Sequence, residues 1–201
     1  MQVRLEAMPV AAIILAAGAS RRLGQPKQLI MMGGETLLAR AMRLTKEAGA
    51  NPVLVVLGAF RDAIRASIEF HEAVVVVNQD WQQGMATSIH SGLRSLDSDG
   101  VLADGVLILS CDQPKLTSQH LRALIDAFEA QQAPTIVASA YSSIRGIPAV
   151  FPRDAFPALL ALRGDTGARA LFAHAPCNVI SVPFDGGDVD IDLPADLAQL
   201  Q

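Results

Sequence analysis

The sequence predicts an α/β protein built as a three-layer α/β/α sandwich on a mostly parallel sheet. Two observations predict it. Short apolar runs of strand length alternate with longer stretches of helical period, the pattern of strands joined by crossover helices. The chain of 201 residues is 51% hydrophobic but only 4% aromatic, and alanine, valine and leucine dominate, as expected for strands covered on both faces. That length suits one domain with a full core.

Residues 10–15 are the first expected strand. Residues 34–48 read as a helix with Leu37, Leu38, Ala41, Met42 and Leu44 on one side and Gly49 as its stop. Pro52 opens a strand at 53–57, and a helix follows at 61–70. Further strands are expected at 74–77 and 106–109, separated by a helix at 84–96. Thr117 or Ser118 caps a helix running to about Gln131. Strands at 135–140 and 147–151 follow, with 141–146 between them. Short helices at 153–162 and 167–173, a strand at 179–182 and a closing helix at 194–200 complete the chain. Residues 1–9 read as a tail and 10–201 as the domain.

The formal net charge is −4, which argues against a general nucleic-acid surface. No apolar stretch approaches the roughly 18 residues of a spanning helix, and the N-terminus has no signal-peptide core. Cys111 and Cys177 lack metal-type spacing. A disulfide between them stays open, but a reduced, cytoplasmic protein is the simpler expectation.

Against this acidic background, one loop is locally basic. The first strand runs into Ala16, Ala17, Gly18, Ala19 and Ser20, followed by Arg21, Arg22, Gly24 and Lys27. Small residues let backbone N–H groups approach an anion, and the cations neutralise it. Neither the P-loop spacing nor Gly-x-Gly-x-x-Gly fits here, which disfavours a nicotinamide-dependent oxidoreductase. The bland alternative is a strand-to-helix turn with surface arginines.

Asp112 follows the 106–109 strand in Ser110-Cys111-Asp112-Gln113-Pro114. Ligands of open α/β sheets sit beyond the carboxyl ends of strands, and Mg2+ binds through one or two carboxylates plus substrate phosphates. A simple turn is the alternative for Asp112. Asp190 and Asp192 flank Ile191 and share a side in an extended segment. Asp192 fits a second metal ligand and a helix N-cap equally well, while Asp190 and Asp196 read as structural. Asn78 and Ser88, with a helix N-terminus near Gly84, offer hydrogen bonds to a base edge and an anion. Gly164, Thr166 and Gly167 can bind a phosphate through backbone N–H groups, or form an ordinary capped turn.

Leu15, Ala16, Ala17, Gly18, Ser20, Arg22, Gly24 and Lys27 together fill a signature that resembles the nucleotidyltransferases of molybdenum cofactor. Asp112-Gln113-Pro114, Asn78 with Trp81, Gly84, Met85 and Ser88, the 190–197 segment, Gly146-Ile147-Pro148 and 163–169 also resemble that family, in its cytidylyltransferase branch. Leu193 stands where threonine is usual. The resemblance implies a Rossmann-like fold of the nucleotide-diphospho-sugar transferase type. It implies transfer of CMP from CTP to molybdopterin, giving molybdopterin cytosine dinucleotide and pyrophosphate. Leu15, Ala16, Ala17, Gly18, Ser20, Arg22, Lys27, Asn78, Gly84 and Ser88 would bind nucleotide, in a half spanning about 10–115. Gly146, Pro148, Gly164, Asp165, Thr166 and Gly167 would bind the acceptor, in a half spanning about 116–201. Arg22, Lys27 and Asp112 would carry catalysis, and Asp112 with Asp192 would hold Mg2+, or Mn2+ in its place. Relatives of this outline sit beside molybdenum hydroxylases, so a transient hydroxylase contact is implied. Ala17 distinguishes CTP users from GTP users, which resemble this loop but carry glycine there. Two other readings stay open: transfer to another phosphorylated acceptor, such as a sugar or alcohol phosphate, and a non-catalytic chaperone for cofactor delivery.

Overall fold

The computed structural model describes residues 9–98 and 100–200. Residues 1–8 of the expected tail, and Gln201, lie outside the described residues, and Pro9 leads directly into the first strand.

In chain order the elements are β1 (Val10–Ala16), β2 (Met31–Met32), β3 (Glu35–Thr36), α1 (Leu37–Glu47), β4 (Val53–Leu57), α2 (Arg61–Ser67), β5 (Val74–Val77), α3 (Met85–Ser98), β6 (Gly105–Ser110), α4 (Ser118–Glu129), β7 (Thr135–Tyr141), β8 (Ile144–Pro152), α5 (Phe156–Ala161) and β9 (Asn178–Pro183), with short 3-10 turns between them. Seven strands form one sheet in the order β5-β4-β1-β6-β8-β7-β9. Only β8 runs antiparallel to its neighbours. The carboxyl ends of β1, β4, β6, β7 and β9 therefore share one edge of the sheet, where ligands of such folds bind. β1, β4 and β6 are buried almost throughout, because helices cover both faces. Ile14, Leu107 and Val150 pack under α1, α2 and α4 on one face. Ile13, Ile108 and Phe151 pack under α3 and α5 on the other.

The expected strands are present, most of them longer by a residue or two. The first helix starts later than expected, at Leu37 instead of Gly34. Gly33 and Gly34 both take positive φ (59° and 88°) and turn a small β2–β3 hairpin, the dihedrals that a two-residue hairpin loop requires. Thr36 then caps α1 by accepting the Ala39 N–H at 3.2 Å. Gly49, at φ 88°, ends it with a reversed turn: its N–H reaches Lys46 O (2.9 Å) and that of Ala50 reaches Thr45 O (3.3 Å). Thr117, not Ser118, caps α4. The segment between β7 and β8 is only Ser142–Ser143, since Ile144, Arg145 and Gly146 already pair with β7. Residues 153–155, 168–173 and 194–200 are 3-10 rather than α. Both cysteines are free. Among the described residues no helix is long and apolar enough to cross a membrane.

Candidate active site

The basic loop leaves β1 at the carboxyl edge and folds back on itself. Leu23 N and Gly24 N both donate to Ser20 O (3.0 and 3.1 Å). Ser20 sits at φ 48° and Gly24 at φ 77°. From beneath, buried Gln28 donates its amide to Ala16 O (2.7 Å) and Gly18 O (3.1 Å), which fixes the loop to the strand. A Cβ built at Gly18 would meet no atom within 4 Å. Packing therefore leaves the space over this glycine open, as an approaching anion requires.

Three segments distant in sequence meet here. The Ile191 N–H donates to Asp112 O at 2.9 Å, pinning the late Asp-Ile-Asp segment to the turn after β6. Lys27 reaches in from the loop: its Nζ contacts Asp112 and lies 3.1 Å from Asp192 Oδ1. Arg22 Nη2 takes the other Asp192 oxygen at 2.7 Å. Ser110 Oγ donates to Asp112 Oδ1 and orients that carboxylate. Burial pulls the Lys27 ammonium down, but Asp112 and then Asp192 outweigh it, so its pKa is raised and its charge is secure. Asp190, although largely exposed, has its carboxyl pushed up to about 6, first by partial desolvation in the cleft wall and then by the Asp112 and Asp192 charges.

The cleft enclosed by these groups has a volume of about 570 Å3, within the range of small-ligand sites. Of the residues singled out from the sequence, Leu15, Ala17, Gly18, Ser20, Arg22, Lys27, Gly84, Ser88, Asp112, Asp165 and Asp192 line it. Asp192 turns to the cations, and the turn after it is held by Asp196, which accepts from Asp192 N (2.9 Å) and Leu193 N (2.7 Å).

Several expectations need correction. Ala16 is buried and offers the cleft nothing, its carbonyl being taken by Gln28. Asn78 is only 3% exposed. Its amide donates to Thr87 Oγ1 (2.8 Å) and Ser88 Oγ (3.0 Å), and its Oδ1 accepts from Asp80 N (2.9 Å). Asn78 thus braces the start of α3 instead of facing a base. The α3 amide terminus is also partly used: Ala86 N donates to Gly164 O at 3.0 Å. Gly164 packs on Gly84, and Gly167 packs on Met85. Thr166 N is engaged by Arg163 O at 3.2 Å. Of this distal segment only Asp165 lines the cleft. Gly146 is covered by the Tyr141 ring, and Pro148 is buried with its carbonyl accepting from Ser139 Oγ at 2.6 Å. Tyr141 and Ile147 line the cleft in their place. Asp190, Gln113, Trp81 and Met85 line it as well. For Asp190 the signal was present, since alternation puts it on the same side as Asp192. For Tyr141, only its place at the carboxyl end of a strand could have pointed to it.

The donor set suits a hard divalent cation held jointly with phosphate. Asp112 and Asp192 both reach one ammonium, so one small cation can be touched by both. Among the described residues no group of three His, Cys, Asp or Glu is arranged to hold a metal. A metal here would take its remaining ligands from phosphate and water, as Mg2+ commonly does. With open backbone at Gly18 and two cations alongside, the cleft can bind a polyphosphate and stabilise charge shifting between its phosphates.

Comparison with known proteins agrees. Residues 12–179 match the model of the MobA-like NTP transferase domain. The chain is 32% identical over 196 residues to the purine catabolism protein PucB of Bacillus subtilis, covering 90% of this chain and 91% of that protein. It is 32% identical over 194 residues to a nicotine blue oxidoreductase of Paenarthrobacter nicotinovorans, covering 90% and 92%. Rv0371c of Mycobacterium tuberculosis, solved in complex with manganese, superposes with a TM-score of 0.78 at 27% identity, covering 96% of this chain and 98% of that one. A strand-fed anion loop, two carboxylates meeting one lysine and a match across most of the chain therefore converge, and the protein belongs to the MobA-like NTP transferase family of nucleotidyltransferases.

Proposed function

We propose that this nucleotidyltransferase moves CMP from CTP to molybdopterin. The terminal phosphate oxygen of molybdopterin attacks the α-phosphorus of CTP. The bond from the α-phosphorus to the bridging oxygen breaks, and pyrophosphate leaves with that electron pair. Molybdopterin cytosine dinucleotide is the product. The observation that carries the transfer chemistry is the meeting of Arg22, Lys27, Asp112 and Asp192 over an open glycine backbone.

In this reading residues 10–115 form the nucleotide half and 116–201 the acceptor half. Backbone from Ala17 to Ser20 holds the β- and γ-phosphates. Arg22 and Lys27 stabilise charge on the α-phosphate and the leaving group, the positioning and electrostatic work that dominates such reactions. Asp112 and Asp192 would hold Mg2+ or Mn2+, which would supply neutralising charge to the phosphates. Leu15, Gly84 and Ser88 line the nucleoside end, and Asp165 faces the acceptor. The choice of CTP rests on Ala17, whose methyl group stands at the cleft wall and leaves less room for a purine. Delivery of the product to a molybdenum hydroxylase follows as the expected next contact.

The test is pyrophosphate release from CTP, with GTP and ATP in parallel, using Mg2+ and molybdenum-loaded molybdopterin. CTP-dependent release that disappears in Asp112→Ala is the expected result. Release with GTP alone would overturn the base assignment. A second reading draws on the oxidoreductase name of one relative. Substrate reduction by NADH or NADPH without pyrophosphate release would favour it.

A further inference from the structure

Gln113 follows Asp112 directly, is only 4% exposed and has no part in the chemistry described so far. Its side chain leaves the turn after β6 and enters the second sequence half. Nε2 donates to Gly187 O at 2.9 Å and to Ile147 O, on β8, at 3.3 Å. Two carbonyl oxygens can be met only by the N–H end of an amide, so the direction of the side chain is fixed. The segment it grips is itself held. A Cβ built on Gly187 would collide with the Phe184 and Tyr141 rings, and Gly186 packs against the Lys115 side chain. Ile147 lines the cleft.

A second tie runs beside this one, from Ile191 N to Asp112 O. A single hydrogen bond is a pivot about which the late segment could turn. Two, at Gly187 and Ile191, fix its direction, and Asp192 is carried with it to the lysine that Asp112 also meets. The far end of the same amide works against stability. Gln113 Oε1 is buried and meets no donor among the described residues, a desolvation cost that offsets part of what the two donated bonds contribute. What glutamine adds here is therefore direction more than stability. We infer that Gln113 is a positioning residue: it sets the spacing at which Asp112, from the first half, and Asp192, from the second, meet one divalent cation. The inference rests on the reading of those two carboxylates as the holders of the metal.

Gln113→Met keeps the length and bulk and removes both donors. Gln113→Asn keeps the amide but is one methylene shorter and falls short of both carbonyls, and it carries the test if the first variant does not fold. Mn2+ would be titrated into the full chain and followed by electron paramagnetic resonance. Melting temperature and pyrophosphate release from CTP and molybdopterin would be measured on the same proteins. The wild type is expected to bind Mn2+. The variants should bind it about tenfold or more weakly, the loss typical when a partner that orients a metal's holders is removed. Their kcat should fall by roughly 100-fold, as misplaced groups cause. The KM for CTP should hold, because Gln28 braces the anion loop separately. A lowered melting temperature with unchanged Mn2+ affinity would reduce Gln113 to a structural brace and overturn the inference, as would a wild type that does not bind Mn2+. Weaker Mn2+ binding in the variants, without pyrophosphate release by the wild type, would uphold the positioning role and overturn the transfer reaction.

Discussion

One methyl group carries much of the chemical argument. Ala17 is buried at the cleft wall, and its Cβ would lie 2.9 Å from a Cβ built at Gly58. Its methyl therefore stands close to the Gly58 backbone. Ala17→Gly is expected to raise the GTP-to-CTP ratio of kcat/KM by about tenfold or more, the usual worth of one methylene-sized group in a pocket. An unchanged ratio would mean that base choice lies elsewhere. Gln28 works differently, since it touches no substrate. It is 1% exposed and holds the carbonyls of Ala16 and Gly18. Gln28→Leu preserves bulk but leaves both carbonyls without that donor. The expected cost is about 1–3 kcal/mol of stability, read by urea unfolding, together with a higher KM for CTP from a loosened loop. A stability loss with unaltered KM would show that the loop holds its shape without this brace.

The start of α3 shows how two loops share one element. Gly84, at φ 110°, backs onto the 164–165 backbone so closely that a Cβ there would fall 2.2 Å from Gly164 C. Backbone, unlike a flexible side-chain tip, cannot swing aside, and the dihedral is itself unfavourable for alanine. Gly84→Ala should therefore cost roughly 2 kcal/mol or more, lower the melting temperature and impair turnover by displacing Asp165. A variant with wild-type melting and turnover would contradict this. Little of that junction was legible in the sequence, although the elements themselves were. β1, β4 and β6 are unbroken apolar runs because both of their faces are buried, and such runs announce themselves. The β2–β3 hairpin is too short to show a period of two. The start of β8 was hidden because Arg145 and Gly146 are poor strand formers, and Gly146 is needed only to seat the Tyr141 ring. At the site, Asp112 could be found because it follows β6 at the carboxyl edge of the sheet, whereas Lys27 and Asp192 lie outside strands and were marked by the resemblance. Asn78 was misplaced because a motif fixes where an amide lies along the chain but not whether it points into a cleft or into the protein.

The sheet joins the two sequence halves, since β6, from the first, pairs directly with β8, from the second. On the second half, α4 is keyed to this sheet by one polar chain. His120 Nε2 lies 2.8 Å from Ser139 Oγ on β7, and that hydroxyl donates to Pro148 O on β8 at 2.6 Å. With its proton given to Pro148, the serine accepts from Nε2–H, which holds the neutral imidazole in one tautomer. Phe184 stacks on the ring at 4.3 Å. Burial pushes the His120 pKa down from its ordinary 6.5 to about 4. Above pH 6.5 the ring is neutral in both the folded and the unfolded chain, and it contributes no pH dependence. Between pH 6.5 and about 4 the unfolded chain takes up a proton that the folded one refuses, so stability falls as the solution is acidified. The full difference corresponds to about 3 kcal/mol. His120→Gln retains an amide donor for Ser139 and cannot titrate. Urea unfolding of both proteins at pH 7.5, 5.5 and 4.5 should therefore show a steeper acid loss in the wild type, with the two curves converging or crossing as pH falls. Parallel curves would show that acid sensitivity comes from other groups and that His120 gains its proton without unfolding the chain.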